Sequence, residues 1–405
     1  MTSDRPDVAS ARATRHTEEV GDGVEGSFLR CLLFSPVSPP DPRNGDSQYT
    51  EDLVRVPPDR VEYVRYTDAL DSGEIEWGPS LRALRTWRSP FSRLPAATVR
   101  AALHLGRRLG LLLEDPVRWL RINGGFDLVH VQCMPVRFLG PRPPVLLSDS
   151  AGTFWYWSAG RGIAESRVLR LLRREHVVAR LVGYLHPTAN PAGDGLIFFI
   201  QAGVSLAARI GINASSAVIC APGVPSAHRE PFSDGRTLLF VGRDFTLKGG
   251  PDALRVFERV RTQIPDARLI VAGPERPPTV PEGVEWLGPL ARETLYDQVY
   301  PRADAFLYPT RFDCAPFVVQ EALANGLPIL APRIMGMPDL VRHAQTGYLF
   351  EPGNIEEAAS AAVELLQNPN KLTAMRAAAR ADFEQRFSIP HRNEVLGAVY
   401  RSLVR

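Results

Sequence analysis

The chain has 405 residues, of which 44% are hydrophobic and 23% are charged, and this composition is typical of folded globular proteins. At about 150 residues per domain the length predicts two or three domains, and no apolar run approaches the roughly 20 residues of a membrane-spanning helix. The formal net charge of +2 does not indicate a nucleic-acid partner. The four cysteines lie far apart without a CxxC pair, which argues against zinc and a disulfide framework and predicts a cytoplasmic protein.

The first half of the sequence predicts a polar leader followed by an α/β domain. Residues 1–26 lack the apolar segment of a secretory signal, so we interpret them as a disordered leader. Short apolar runs then predict the strands of a first domain at 27–224. These runs are 29–36, 127–132, 144–150, 179–185 and 216–222.

The pattern becomes regular from residue 237 onward. Short apolar runs alternate with stretches of helical spacing, which is typical of βαβ units and a parallel sheet. The pattern predicts a second α/β domain at 225–387 and a helix at 388–405 that packs back toward the first domain. The predicted strands are 237–242, 268–273, 284–288, 304–310, 328–331 and 347–350, and the predicted helices are 251–264, 291–299, 317–325, 354–367 and 371–386.

Residues 80–122 combine arginine with Trp, Phe and Leu at roughly helical intervals. Basic amphipathic surfaces of this kind rest on anionic membranes, so one interpretation is a peripheral contact at the inner face of the membrane. The other interpretation, which we favour, is a set of ordinary helices that pack on the sheet with their arginines in water.

Two carboxylates stand eight positions apart in the sequence TRFDCAPFVVQEALANG. Asp313 lies in the loop after a predicted strand, and Glu321 lies just inside the following helix. Pro316 suits the first turn of that helix, and the backbone N–H groups of Phe317 and Val318 form an anion site at the carboxyl edge of a parallel sheet. Carboxylates beside a phosphate are tolerated if they bind hydroxyls, so ribose and sugar are the expected partners. Alternatively, Glu321 only complements the helix dipole and Asp313 is an ordinary loop residue.

The segment FVGRDFTLKGG follows the first predicted strand of the second domain. Arg243 and Lys248 flank its loop, and a guanidinium fork with a compact ammonium suits a diphosphate. Only two of the 47 basic residues are Lys, so composition alone favours Arg at any basic position. The alternative is a solvated pair of surface cations. The segment lacks the GxxxxGK[ST] and GxGxxG patterns, which argues against an ATPase-type P-loop and a dinucleotide site.

These segments, together with the runs ANGLPILAP and GMPDLV, resemble the retaining glycosyltransferases of family 4 over residues 237–387. The resemblance implies the GT-B fold, an α/β architecture of two Rossmann-like domains whose parallel sheets face a central cleft. It implies that Arg243 and Lys248 bind the nucleotide diphosphate, that Glu321 binds the ribose, and that Asp313 is a catalytic residue in contact with the donor sugar. The further residues that it implies are Cys314, Ala315 and Pro316 for the sugar, Phe317 and Val318 for the diphosphate, and Leu287 and Leu290 for the base.

The first domain resembles the family more weakly. Its NGDSQYTEDLV segment matches the loop and helix after the first strand, which makes Gly45 the residue that approaches the diphosphate. Where the family often has a His beside the transferred sugar, this chain has Ser148-Asp149-Ser150. Either Asp149 or Ser150 takes over that catalytic contact, or the active site is altered. The family usually has Glu at the position of Asp313, so the resemblance leaves the donor sugar open.

The implied activity is that of a metal-independent, hexosyltransferase-type enzyme that retains configuration. The donor substrate is a nucleotide-diphosphate sugar bound mainly by the second domain, and the acceptor, bound mainly by the first, is a glycan, a lipid-linked intermediate or a small molecule. The sequence has no Asp-x-Asp motif and no cluster with metal-ligand spacing, so we expect neither a metal nor a cofactor. The alternatives are a nucleotide-sugar-binding protein with little or no transferase activity and a GT-B sugar-nucleotide epimerase.

Overall fold

The computed structural model describes residues 28–35, 45–77, 105, 118–150, 158, 162–182, 184–186, 190–191, 193–226 and 234–405. Within these residues the chain forms one six-stranded sheet in each half and a small three-stranded sheet in the first half. Every strand pair within the two large sheets is parallel. The α/β fold with two parallel sheets that the sequence predicts is therefore confirmed.

The strands of the described first half are β1 (Leu29–Phe34), β2 (Val61–Arg65), β3 (Ile75–Trp77), β4 (Arg118–Ile122), β5 (Leu128–Gln132), β6 (Val136–Phe138), β7 (Val145–Asp149), β8 (Gly195–Phe198) and β9 (Val218–Ile219). The large sheet has the order β2-β1-β5-β7-β8-β9, and the small sheet has the order β3-β4-β6. Strands β5 and β7 are buried along their whole length, as is typical of parallel strands covered by helices on both faces.

The strands of the second half are β10 (Thr237–Val241), β11 (Arg268–Ala272), β12 (Val284–Gly288), β13 (Ala305–Leu307), β14 (Ile329–Pro332) and β15 (Gly347–Phe350). They form a sheet in the order β12-β11-β10-β13-β14-β15. Strand β10 lies at the centre, where the strand order reverses between β11 and β13. In open parallel sheets, ligands bind at the carboxyl ends of the strands beside such a reversal.

The helices of the described residues are α1 (Gly45–Arg55), α2 (Tyr66–Asp71), α3 (Glu165–Val182), α4 (Gln201–Ile210), α5 (Gly250–Gln263), α6 (Arg292–Thr294), α7 (Phe317–Ala324), α8 (Met337–Leu340), α9 (Ile355–Gln367), α10 (Pro369–Arg386) and α11 (Ile389–Val404). Helix α6 continues as a π-helical turn at Leu295–Val299 and a 3-10 turn at Tyr300–Arg302.

The predicted strand at 179–185 is wrong, because most of its residues belong to the end of helix α3. The buried residues of that helix include Val168, Leu172, Glu175 and Ala179, and they recur at the three- and four-residue spacing of a helix. The last turn of the helix, taken by itself, has the apolar sequence of a short strand. Strand β8 was not predicted, although it begins the apolar run 196–200, because that run continues almost directly into helix α4.

The two halves of the molecule touch through a helix end. In the first half, the backbone N–H of Ala202 in the first turn of α4 donates to the Asp339 carboxylate of α8 in the second half, at 2.9 Å. Ile200, just before α4, is buried with the apolar core of the second half. The start of α4 is thus fixed against the second sheet.

The last helix, α11, crosses back from the second half and packs on the first. Tyr400 Oη lies 2.7 Å from Nδ1 of the buried His130 in β5. Near the start of the helix, Arg392 donates to the Val56 carbonyl at 2.7 Å, just beyond the end of α1. The C-terminal helix therefore joins the second half of the chain to the core strands and the first helix of the first half.

Candidate functional site

The loops that follow β10 and β13 meet at the carboxyl edge of the second sheet. There Lys248 Nζ lies 2.5 Å from Asp313 Oδ2 and donates to the Phe312 carbonyl at 3.3 Å. The two charged side chains are partly open, with 23% and 17% of their surfaces exposed. The structure thus brings together two residues that lie far apart in the sequence and were both predicted to contact the donor.

A glycine allows this approach of the two loops. Gly249 has a φ of +79°, and a Cβ atom built on it would lie 1.8 Å from the Pro309 carbonyl oxygen. Only a residue without a side chain fits in this left-handed conformation and at this distance. The Lys248-Gly249 pair of the sequence therefore places the ammonium group directly beside the loop that carries Asp313.

A buried tyrosine also holds Asp313. The Tyr308 hydroxyl donates to Asp313 Oδ2 at 2.8 Å. Burial, followed by the nearby Asp313 charge, raises the pKa of Tyr308 well above its ordinary value, so the phenol keeps its proton and remains a donor. One carboxylate oxygen of Asp313 is accordingly shared between an ammonium and a phenol.

Helix α7 begins directly after this loop, at Phe317. Pro316 precedes it in extended conformation, with φ −61° and ψ 128°, and no side chain caps its first turn. The first N–H groups of an α-helix lack partners within the helix, and together with the helix dipole they favour an anion. Cys314 and Pro316 are buried and Ala315, Phe317 and Val318 are half-buried, so the predicted sugar and diphosphate segment lies at the surface only in part.

Glu321, in the middle of α7, is only 4% exposed. Its Oε1 accepts from Arg292 Nε at 2.6 Å, and its Oε2 accepts from the Tyr300 hydroxyl at 2.9 Å. Arg292 also reaches Asp52 on α1, with 2.8 Å between Nη1 and Oδ2. The predicted ribose residue is therefore part of an ion-pair network that extends into the first half of the chain.

The electrostatics of this network keep its guanidinium charged. Burial lowers the pKa of Arg292, but the charges of Glu321 and Asp52 outweigh it and raise the pKa above the ordinary value. Tyr300 remains protonated, because burial and then the Glu321 charge raise its pKa well above its usual range.

Three predicted residues of the second half, Arg243, Leu287 and Leu290, have no described hydrogen bond to Lys248, Asp313 or Glu321. Arg243 is exposed in the loop after β10. Leu287, in β12, and Leu290, shortly after it, are half-buried and pack against the core of the second sheet. Their predicted roles with the diphosphate and the base stay predictions.

In the first half, Gly45 is the first residue of α1. Asp149 is the last residue of β7 and is buried, and the half-buried Ser150 follows it. The Cys133 thiol donates to Asp149 Oδ1 at 3.3 Å. Both positions lie at the carboxyl edge of the first sheet, but the described contacts do not link them to Lys248 or Glu321.

The part of the chain that the structure describes contains neither a clustered set of metal ligands nor a helix suited to a membrane. In that part no group of three or more His, Cys, Asp or Glu side chains is arranged to hold a metal ion. No described helix is both long and apolar enough to cross a membrane. The segment 80–122 lies outside the described residues except for 105 and 118–122, so the prediction of a membrane contact there stays a prediction.

Sequence reasoning missed four residues of this site. Arg292, Tyr300 and Tyr308 donate to its carboxylates, and Asp52 pairs with Arg292. Arg292 is one of 45 arginines, since only two of the 47 basic residues are Lys, and nothing in its local sequence distinguishes it. The two tyrosines stand at the end of a helix and next to a strand, where aromatic residues usually serve the core. Tyr308, five positions before Asp313, could have been found from its place near the carboxyl end of the predicted strand 304–310.

Part of the chain resembles proteins of known families. Residues 226–382 match the family model described as glycosyl transferases group 1. The chain is 30% identical over 151 residues to a sulfoquinovosyl transferase from Arabidopsis thaliana, covering 34% of this chain and 28% of that protein. It is 30% identical over 166 residues to a glycogen synthase from Mycobacterium tuberculosis, covering 38% of this chain and 40% of that protein. The chain thus spans less than half the length of these curated relatives.

A solved structure extends the likeness to the whole fold. The protein HepE from Anabaena, in complex with UDP and glucose, aligns with 93% of this chain and 100% of its own chain, at a TM-score of 0.55 and 14% sequence identity. The predicted GT-B fold is confirmed, and the match to the glycosyl transferases group 1 model is confined to residues 226–382.

Proposed function

We propose that this protein is a retaining, metal-independent glycosyltransferase that moves a sugar from a nucleotide-diphosphate sugar to an acceptor held mainly by its first domain. The observation that carries the proposal is the pairing of Lys248 with Asp313, at 2.5 Å, in front of helix α7. A cation, a helix N-terminus and a carboxylate at one sheet edge offer partners for a diphosphate and for the sugar attached to it.

The diphosphate end of the donor would lie between Lys248, Arg243 and the first turn of α7. Lys248 supplies a compact positive charge, and the exposed guanidinium of Arg243 adds a planar fork for phosphate oxygens. The backbone N–H groups of Phe317 and Val318 add donors that need no charge. These groups stabilise a departing diphosphate by fixed charges and dipoles, the role that a divalent metal plays in other sites.

The neighbouring carboxylates indicate where the nucleoside and the sugar of the donor would bind. Glu321 has one bond to each carboxylate oxygen and retains lone pairs for ribose hydroxyls. The base would lie near Leu287 and Leu290, and the sugar near Asp313 and the segment Cys314–Pro316. The solved complex of HepE with UDP and glucose supports a nucleotide sugar as the donor class.

In the front-face transfer that we propose, the acceptor hydroxyl attacks on the face that the diphosphate leaves. The bond from the acceptor oxygen to the anomeric carbon forms, the bond from that carbon to the phosphate oxygen breaks, and the hydroxyl proton passes to the departing phosphate. In this scheme Asp313 and either Asp149 or Ser150 contact the sugar from opposite domains. The buried Asp149, bonded to the Cys133 thiol, has the more fixed position of the two.

The donor site is tested by titrating the protein calorimetrically with UDP, GDP and ADP in the presence of a chelator. We expect one diphosphate to bind, and Lys248→Ala to weaken it about tenfold or more, the equivalent of about 1.4 kcal/mol. The other lysine, Lys371, pairs with Glu364 on the outer surface, so Lys371→Ala is a matched control that keeps wild-type affinity. The diphosphate site is refuted if none of the three nucleotides binds, or if both lysine variants bind equally well.

The chemistry is tested by incubating nucleotide sugars with candidate acceptors and assigning the product by NMR. A new glycosidic bond with the donor's anomeric configuration is the expected product. We expect Asp149→Asn or Ser150→Ala, whichever replaces the sugar contact, to abolish transfer while nucleotide binding persists. A free epimer would instead identify an epimerase, and binding without any turnover would identify a nucleotide-sugar-binding protein.

A further inference from the structure

A single arginine joins the two halves of the molecule at the proposed ribose site. Arg292 lies between Glu321 of α7, at 2.6 Å, and Asp52 of α1, at 2.8 Å. The two acidic side chains are each only 5% exposed and the arginine side chain is 17% exposed. One positive charge therefore separates two nearly buried negative charges that belong to different domains.

The contacts around Glu321 fix the orientation of its carboxylate and leave some of its acceptor positions open. Arg292 and Tyr300 each take one lone pair, on different oxygens. A carboxylate has about four acceptor positions, so two remain for the hydroxyls of a bound ribose. Loss of Arg292 would leave the carboxylate held by the phenol alone, and it would be able to rotate.

Through its contact with Asp52, Arg292 also holds a side chain of the first domain in place. Asp52 lies seven residues after Gly45, the first residue of α1, which is about 10 Å along a helix. Its Oδ1 accepts from Gln48 Nε2 at 3.1 Å, so the side chain is held from its own helix as well. Arg292 thus fixes the helix whose N-terminal end carries the predicted first-domain contact with the diphosphate.

The balance of charge shows why the bridge matters. Two carboxylates facing one guanidinium leave a net negative charge in a nearly dry place, and removing one partner of such a group costs more than the group contributes to stability. Without the arginine, Asp52 and Glu321 would repel each other across the domain interface. Without Asp52, the arginine would bind Glu321 alone and the domains would lose this link.

We propose that Arg292 is a positioning residue that couples nucleotide binding to the closed arrangement of the two domains. It orients Glu321 toward the ribose and, through Asp52, holds α1 where its N-terminal end meets the diphosphate. The inference rests on the proposed function, since it takes Glu321 as the ribose residue. It predicts that the affinity for a nucleoside diphosphate, which reaches both domains, depends on Asp52. The affinity for the corresponding monophosphate should not depend on Asp52.

The test compares Asp52→Asn and Arg292→Gln, using the diphosphate that binds best among UDP, GDP and ADP and its monophosphate. For Asp52→Asn we expect diphosphate affinity to fall about fivefold or more and monophosphate affinity to stay within twofold of wild type. For Arg292→Gln we expect both affinities to fall, because Glu321 is affected as well. Arg259→Gln, which breaks an exposed pair with Glu356, is the control that changes neither.

Small-angle scattering with and without the diphosphate gives a second measure. Wild-type protein, in which the bridge is already formed, should have the same dimensions with and without the diphosphate, and Asp52→Asn should be more extended without the nucleotide. Equal weakening of both nucleotides by Asp52→Asn, or no weakening of either, would overturn the coupling while the proposed function stands. If the wild type binds none of the nucleotides, the proposed function itself fails and the coupling fails with it.

Discussion

Replacement of Gly249 by alanine tests whether the contact between the two site loops is as close as the structure shows. A left-handed φ of +79° costs an L-residue about 1–2 kcal/mol. The new Cβ would also lie 1.8 Å from the Pro309 carbonyl oxygen and 2.4 Å from its carbon. Because these are backbone atoms, the loops must separate by more than about an ångström, which costs a further ~1–3 kcal/mol in a packed place.

The expected total for Gly249→Ala is therefore about 2–5 kcal/mol. Gly353 provides a matched control, since it has the same φ of +79° with no atom within 4 Å of an added Cβ. Its replacement by alanine should cost only the conformational part, about 1–2 kcal/mol. Both variants are compared by urea unfolding followed by fluorescence, and by titration with the nucleoside diphosphate that the wild type binds.

The consequence for function follows from the position of Lys248. When the loops separate, the ammonium moves away from Asp313 and from the first turn of α7. We expect Gly249→Ala to lose nucleotide affinity about tenfold or more, the loss expected from removing the charge itself, and Gly353→Ala to keep it. Equal destabilisation by the two substitutions, or unchanged affinity in Gly249→Ala, would contradict the close approach on which the site is built.

Two further predictions concern the predicted sugar loop and the buried histidine of the first sheet. A Cβ on Gly336 would lie 1.8 Å from the Cys314 carbonyl oxygen, so Gly336→Ala should displace the predicted sugar loop and slow sugar transfer about tenfold while diphosphate affinity, measured by calorimetry, stays within twofold. Burial lowers the pKa of His130 to about 3, so the folded protein keeps this ring neutral while the unfolded chain protonates it near pH 6.5, and folding stability falls as the pH drops through that window. Urea unfolding at several pH values should show wild type losing about 1.4 kcal/mol per pH unit relative to His130→Gln below that pH, and parallel curves would contradict the buried neutral ring.

Most of the second domain could be predicted because each of its signals is local. The run 268–273 is apolar after its first residue, and its strand, Arg268–Ala272, ends directly before Gly273. The helix at 389–404 begins with Ser388, whose side chain accepts from the His391 backbone N–H, a cap that the sequence itself encodes. In the first domain the predicted strand at 179–185 failed because a helix and a strand look alike over one short apolar run.

The site was predicted as a set of residue types but not as a set of contacts. Lys248 and Asp313 both followed from the spacing of charged residues around predicted strands, yet their direct ion pair depends on two loops 65 positions apart meeting over Gly249. The partner of Glu321 could not be predicted, since Arg292 becomes distinctive only when the fold places it between two buried carboxylates. Long-range partners are set by the fold, and a single sequence contains no local signal for them.

The contacts also show what the proposed donor site offers before a donor binds. Lys248 donates to Asp313 and to the Phe312 carbonyl. An ammonium has three N–H donors, so one remains for a diphosphate while the ion pair with Asp313 is kept. Lys248 and Tyr308 both bind Oδ2 of Asp313, and a carboxylate has about four acceptor positions, so acceptor positions remain for a sugar hydroxyl. A nucleoside diphosphate without a sugar would leave those positions unfilled, so in this site the attached sugar should add affinity rather than only bulk.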